Sequence, residues 1–327
     1  MYGRAAGETS ALDRTRQGPP SEPFRGKSPG CPFGAAMRRS ANRLAFRRRC
    51  GYRPVAASWH DAARNQARCA TMSSDRMTVN GIELEVLRRG AGSPVLLLHG
   101  MDTVHPRTAF LDLLGRDTEI IAPSSPGFGN TKRPADFDKI YDLVHLYLAV
   151  LDELPYDEVA MLGLSFGGWL AAEIAAASCH RLSKLVLVDP VGIKVGGPTD
   201  RDILDVFNTN PAEVRRCSWH DPAKAPDFDA MSDEELVIHA RNWEALCLYA
   251  WHPYMYNPQL KRWLGHIRVP TLMLWGASDR VVTPDYGRAY AGLIPGARFE
   301  IIDEAGHHPE LEQPERFTER VAAFLKE

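Results

Sequence analysis

The chain carries six cysteines in 327 residues, yet none forms a Cys-x-x-Cys pair and no cysteine–histidine set has metal-ligand spacing. That excludes a zinc ribbon and a disulfide framework, and points to free, mostly buried thiols in a reducing compartment. No apolar run approaches the ~18–20 residues that span a bilayer. No apolar core region marks a secretory signal. A glycine-rich phosphate loop is also missing. The expectation is a cytoplasmic protein without cofactor or metal, binding neither membrane nor nucleic acid. Oligomeric state is not encoded in any of these patterns.

The net charge of −2 hides an asymmetry. Residues 1–72 hold 14 Lys+Arg against 4 Asp+Glu, so the remainder is strongly acidic. This basic segment has no sustained hydrophobic periodicity and reads as a disordered extension. It is Arg-rich like a transit peptide, basic like a nucleic-acid tail, or an upstream extension outside the working protein. The last reading is favoured, because Met72 and Met77 stand directly before the first strand. The expected domain is 73–327.

In that domain, Thr78-Val79-Asn80-Gly81-Ile82 reads as a hairpin centred on Asn-Gly. Strand-like and helix-like segments then alternate through Val188, which implies a mostly parallel sheet. The key stretch is Gly163-Leu164-Ser165-Phe166-Gly167-Gly168. It follows the apolar run Val159-Ala160-Met161-Leu162 and precedes a helix-prone segment. A strand, a tight glycine-bounded turn with one serine, then a helix, is the setting of a nucleophile elbow. The helix N-terminus offers unpaired N–H groups to a developing oxyanion.

A serine hydroxyl is a weak nucleophile without a base, and the base needs an acid to orient it. Chain order on this architecture is Ser, then Asp or Glu, then His. Asp279 follows the strand Thr271-Leu272-Met273-Leu274-Trp275, and His307 follows Arg298-Phe299-Glu300-Ile301-Ile302. Asp189, after Leu185-Val186-Leu187-Val188, is the competing acid. His308 is read as a flanking or pocket residue. The second oxyanion donor is expected after Pro94-Val95-Leu96-Leu97-Leu98, so the backbone N–H groups of Met101 and Phe166 are the candidate pair. His99 reads as a structural histidine bonded to its own loop.

With His99-Gly100, Pro126-Gly127-Phe128-Gly129, the serine elbow, the Asp279 loop and Gly306-His307-His308-Pro309-Glu310 in this order, the chain resembles the α/β-hydrolase superfamily from about Val79 onward. The resemblance implies an eight-stranded, mostly parallel α/β sheet flanked by helices, with a catalytic triad of Ser165, Asp279 and His307. It leaves the substrate open. Two departures stand out. Ser124-Ser125 occupies a loop where many relatives carry aspartate. A serine nucleophile also argues against a haloalkane dehalogenase.

The strand–helix alternation breaks after Asp189-Pro190 and returns near Ile267. The stretch at about 191–264 reads as a helical lid inserted after the sixth strand, with a capping box at Ser232 and Glu235. It is dense in aromatics. Trp251, His252 and Tyr254 are the candidate pocket residues for a small acyl or aromatic substrate. The leading expectation is a serine hydrolase cleaving a carboxylic ester. The alternatives are a C–C bond hydrolase of a vinylogous diketone, of meta-cleavage product type, and a non-catalytic ligand-binding protein of the same fold. Deleting residues 1–71 should leave folding and turnover unchanged. Circular dichroism and activity of the truncated protein check this, and loss of either would place the boundary wrongly.

Overall fold

The computed structural model describes residues 74–327. The basic segment 1–72 lies outside the described residues. The chain enters the sheet through the hairpin β1 (Ser74–Val79) and β2 (Ile82–Gly90), with Val79 opposite Ile82. Asn80 and Gly81 both have positive φ, 49° and 78°. Two left-handed residues make the tight turn whose twist matches the flanking strands, hence Asn-Gly.

Six parallel strands follow: β3 (Ser93–Leu98), β4 (Thr118–Pro123), β5 (Val159–Leu164), β6 (Leu182–Val188), β7 (Thr271–Gly276) and β8 (Arg298–Ile302). The eight strands lie in the order β1-β2-β4-β3-β5-β6-β7-β8, with β1 and β2 antiparallel to their neighbours. The central strands are buried on both faces, and their side chains divide by alternation. Leu96, Leu98, Met161, Leu185 and Leu187 join one core cluster. Val95, Leu97, Leu162, Val186 and Val188 join the other. Period-2 alternation of purely apolar residues is what a sheet covered on both sides requires.

Helices α1 (Ala109–Leu114) and α9 (Pro314–Lys326) cover one face, where Phe110 and Phe317 meet edge to face at 5.7 Å. Helices α2 (Ile140–Glu153), α3 (Phe166–Ala177) and α7 (Pro284–Ala291) cover the other. Helix α3 is buried almost all round, so its small alanine-rich sequence is a packing requirement. Between β6 and β7 the chain leaves the sheet for a helical insertion that includes α4 (Pro211–Ser218), α5 (Asp233–Ala250) and α6 (Leu260–Trp263). The α5 N-terminus forms the reciprocal capping box, Ser232 N–H to Glu235 at 2.9 Å and Glu235 N–H to Ser232 Oγ at 3.2 Å. The remaining short helix, α8 (Pro309–Glu312), precedes α9. Among the described residues, no helix is long and apolar enough to cross a membrane.

The strand order reverses between β3 and β5: the chain moves one way to β4 and the other way to β5 and β6. A crevice at the carboxyl ends of the strands forms at such a point. There the turn from β5 into α3 is packed so closely that a Cβ on Gly163 would fall 2.7 Å from Gly168 Cα and 2.8 Å from Ala171 Cβ. Gly163→Ala should therefore destabilise the fold by about 1–3 kcal/mol through overpacking. A lower urea midpoint at unchanged slope is the expected reading; an unchanged midpoint would contradict this packing.

Candidate active site

Ser165 sits between the last residue of β5 and the first of α3, at φ 49° and ψ −110°. Its N–H donates to the Val188 carbonyl at 2.8 Å, and its own carbonyl accepts the Trp169 N–H at 3.0 Å. The residue is thus fixed to β6 on one side and begins the helix ladder on the other. Its hydroxyl is left projecting from the turn.

The loops after β7 and β8 bring two side chains to that hydroxyl. Ser165 Oγ is 2.7 Å from His307 Nε2, and His307 Nδ1 is 2.8 Å from Asp279 Oδ2. The arrangement is consistent with an Nδ1–H that donates to the carboxylate and an Nε2 that accepts the hydroxyl proton. Asp279 is 2% exposed. Its other oxygen accepts the Val281 and Val282 N–H groups at 2.8 and 3.1 Å. The structure therefore brings together Ser165, His307 and Asp279.

Asp189, the competing acid, lies close by but in a different role. Its Oδ1 accepts the Gly276 N–H at 3.0 Å, while Oδ2 has no partner. Burial, and then the negative Asp279 beside it, push its pKa well above the usual carboxylate range. A carboxyl oxygen of each aspartate and one ring nitrogen of His307 lie within 4.8 Å of one another. His307 and Asp279 are already bonded to each other, so this is a hydrogen-bonded relay rather than a metal set.

The two expected oxyanion donors border Ser165. Phe166 is the first residue of α3, and its N–H belongs to the first turn, which has no intrahelical acceptor. The loop after β3 passes beside the serine: a Cβ on Gly100 would fall 3.5 Å from Ser165 Cβ. Met101 follows directly, and its N–H hydrogen-bonds to no acceptor among the described residues. His99 stays out of the relay. Its Nδ1 meets the Gly100 carbonyl at 2.9 Å, and its Nε2 accepts the Ser125 N–H at 3.0 Å. Ser125 in turn shares a 2.9 Å bond with the Tyr147 hydroxyl. The serine that replaces an acid in this loop thus belongs to a neutral network around a neutral histidine.

His308 packs on Trp219 at 4.8 Å and on His307 at 5.3 Å, ring to ring. Burial is the largest influence and opposes its charge, but the carboxylates of Glu310, Asp279 and Asp102 together outweigh it and raise its pKa.

Trp251 and Tyr254, the aromatic candidates of the insertion, make ring contacts and hydrogen bonds within the insertion itself. Trp251 is 58% exposed and packs on Phe207 at 5.8 Å. His252 is exposed as well. The Tyr254 hydroxyl accepts the Val206 N–H at 2.7 Å and donates to the Leu204 carbonyl. These side chains hold the insertion together, which is what a dense aromatic stretch does in a small helical layer.

A polar clasp beside the Met101 loop has no local signature in the sequence. Asp102 Oδ1 accepts from His239 Nδ1 at 3.0 Å and from Asn242 Nδ2 at 3.1 Å, both on α5. Burial is the largest influence and opposes ionisation of Asp102, yet His239, Asn242 and His308 together outweigh it and lower its pKa; the Asp102 bond raises that of His239. The partners are 137 and 140 residues apart in sequence, so no local pattern announces them.

The Alpha/beta hydrolase family matches residues 95–320. Among curated proteins, the 2-hydroxy-6-oxo-2,4-heptadienoate hydrolase of Pseudomonas putida is 28% identical over 261 residues, 75% of this chain and 93% of that protein. A 2-hydroxymuconate semialdehyde hydrolase from a Pseudomonas species is 27% identical over 265 residues, 76% of this chain and 92% of that protein. Among solved structures, the 2-hydroxy-6-oxo-6-phenylhexa-2,4-dienoate hydrolase of a Rhodococcus species superposes with a TM-score of 0.63 at 18% identity, covering 79% of this chain and 99% of its own. At that identity the likeness is one of fold.

Burial holds the His99 pKa at about 4, against 6.5 for a free histidine. The unfolded chain therefore takes up this proton near pH 6.5, while the folded chain refuses it until about pH 4. Its contribution is fully present above pH 6.5 and is lost as pH falls, by about 3 kcal/mol at pH 4. His99→Gln should be less stable at pH 7 but show a shallower fall between pH 6.5 and 4. Urea unfolding across that window checks it, and an unchanged slope would remove His99 as the source.

Proposed function

The chain belongs to the alpha/beta hydrolase family, and on that footing we propose that it is a serine hydrolase cleaving the C–C bond beside the carbonyl of a 2-hydroxy-6-oxo-dienoate. The observation that carries the hydrolase reading is the continuous relay from Ser165 through His307 to Asp279, at 2.7 and 2.8 Å. The relatives named above support the choice of bond, since they act on substrates of this class along almost their whole length.

The chemistry follows from the substrate. Such a dienol has a tautomer with a ketone at C2 and a CH2 at C5. Attack on the C6 carbonyl then lets the C5–C6 electron pair leave as a dienolate. Ser165 Oγ attacks C6 while His307 Nε2 takes its proton. The oxyanion receives the Met101 and Phe166 N–H groups. As C5–C6 breaks, the electron pair delocalises onto the C2 oxygen, which takes the proton held by His307, giving an acyl-Ser165 and a free 2-hydroxydienoate. Water deprotonated by His307 releases the acyl group as a carboxylic acid. Asp279 holds the imidazole tautomer and stabilises the imidazolium throughout. The helical insertion acts as the lid over this crevice.

A simple carboxylic ester is the second reading, and Asp102 favours it. The Asp102 carboxylate directly follows the oxyanion donor Met101 and its pKa is lowered, which weighs against an anionic substrate in this crevice. His239, whose pKa the Asp102 bond raises, is the compensating group in the first reading.

The test pairs a chromophoric dienoate with p-nitrophenyl esters of increasing acyl length. The dienoate should give the higher kcat/KM. Ser165→Ala should lose about 10⁶-fold in kcat on either substrate, with thermal stability retained. Ester turnover without dienoate cleavage would establish the second reading. Neither turnover, with tight retention of ligand, would leave a binding protein.

A further inference from the structure

The insertion reaches both relay loops through one short stretch, residues 217–221; Ile203 and Leu204 additionally pair with Val282 and Val281 of the Asp279 loop. The Cys217 carbonyl accepts the Arg280 N–H at 3.1 Å, and the Ser218 carbonyl accepts the His307 N–H at 2.7 Å. His220 Nδ1 shares a 2.8 Å bond with Ser278 Oγ. This strap therefore grips the loop that carries Asp279 and the loop that carries His307. At Gly306 the two backbones are in contact: a Cβ there would fall 2.9 Å from His220 N.

Glu312 closes the arrangement. It ends α8 and is 3% exposed. Its Oε2 accepts the Gly306 N–H at 2.6 Å and the His220 N–H at 3.1 Å, and its Oε1 accepts the Asp221 N–H at 2.9 Å. Lys224 Nζ donates to the Glu312 backbone carbonyl at 2.9 Å rather than to the carboxylate. A buried carboxylate is costly unless charge-assisted bonds replace its water. Here three backbone N–H groups do so: one from the residue preceding His307, two from the strap.

We propose that Glu312 is a positioning residue for the base. It fixes the residue before His307 through the Gly306 N–H, and it holds the strap whose Ser218 carbonyl secures the His307 N–H from the other side. The inference rests on the reading of His307 as the base. An imidazole must keep two short hydrogen bonds at once, so a loop shift of a fraction of an ångström is felt first in the proton-transfer step. Glu312 thus links the placement of the insertion to the alignment of His307 between Ser165 and Asp279.

Glu312→Gln tests this, because the amide keeps the volume but turns an NH2 toward backbone donors. Wild type and variant are titrated with a fluorophosphonate, which counts reactive Ser165 and reacts at a rate set by the Ser–His pair. The variant should still label stoichiometrically. Its phosphonylation rate and its kcat per labelled site should fall about 10–100-fold, with KM little changed and the acidic limb of the pH–rate profile displaced. A purely structural residue would lower the melting temperature and the fraction of labelled protein while leaving the per-site rate and pH profile at wild-type values. That result would overturn the proposal. Should Glu312→Gln fail to fold, Glu312→Asp keeps the charge but withdraws it by one methylene, and its per-site rate decides in the same way. Failure of wild type itself to label at Ser165 would instead strike the base reading, and the proposal would fall with it.

Discussion

Ser165 is held at φ 49°, a backbone conformation that costs a non-glycine residue about 1–3 kcal/mol. Much of the architecture serves to hold it there. The Val188 carbonyl takes its N–H, which ties the turn to β6. Helix α3 must start within one residue of the strand, so its first turn lies against β3, and Gly167 has no room for a side chain beside the Leu98 and His99 carbonyls. Burial of Trp169, Leu170 and Ile174 on α3 supplies the compensating stability, at about 1.5–3 kcal/mol for a large apolar side chain. The nucleophile's place at the reversal of strand order is therefore a consequence of packing, and the neighbouring loops converge on it because parallel strands end on the same side.

Charge is distributed around this point by the supply of donors. Asp279 and Asp189 share one buried region, and two adjacent buried carboxyls do not both ionise cheaply. Asp279 receives two backbone N–H groups and the His307 ring. Asp189 receives one N–H and leaves an oxygen unpartnered. The donors stabilise a carboxylate at Asp279 better than one at Asp189, a preference that follows from hydrogen-bond count rather than from distance along the chain. His99 obeys the same rule with opposite sign: one nitrogen meets a carbonyl and the other an N–H, so the ring has its two partners only when uncharged.

Much of the fold was legible because its signals are local. Asn80-Gly81 marks a hairpin, apolar runs mark strands buried on both faces, and Ser232 with Glu235 caps α5. The loops that carry Ser165, Asp279 and His307 could be placed because each follows a buried strand. Chain order and loop length favour Asp279 over Asp189, although both follow strands and the donors around them separate the two only in the fold. The aromatic density around Trp251, His252 and Tyr254 reports a need for packing and says nothing about which side is packed, so it does not place a pocket. Asp102 with His239, and Glu312 with His220, were invisible for another reason. Their partners lie 137 and 92 residues away, and a lone Asp or Glu in a loop looks the same whether it faces water or three backbone N–H groups.

The insertion and the sheet are joined by polar bonds rather than by a shared strand, and this separates two tasks. Helix α5 grips the Gly129 peptide on both sides: Asn242 accepts its N–H at 2.8 Å and Arg241 donates to its carbonyl at 2.7 Å. The same Asn242 reaches Asp102 beside Met101. Residues 217–221 do the equivalent work at the loops of Asp279 and His307. The insertion thus anchors partly on backbone carbonyls and N–H groups of the sheet loops, gripped by a few side chains of its own, Arg241, Asn242 and His220. Substitutions in the insertion away from such contacts leave the bonds of the relay in place, so the inserted surface can change without moving Ser165, Asp279 or His307. Matches to relatives at 27 to 28% identity along most of the chain are what such a division permits.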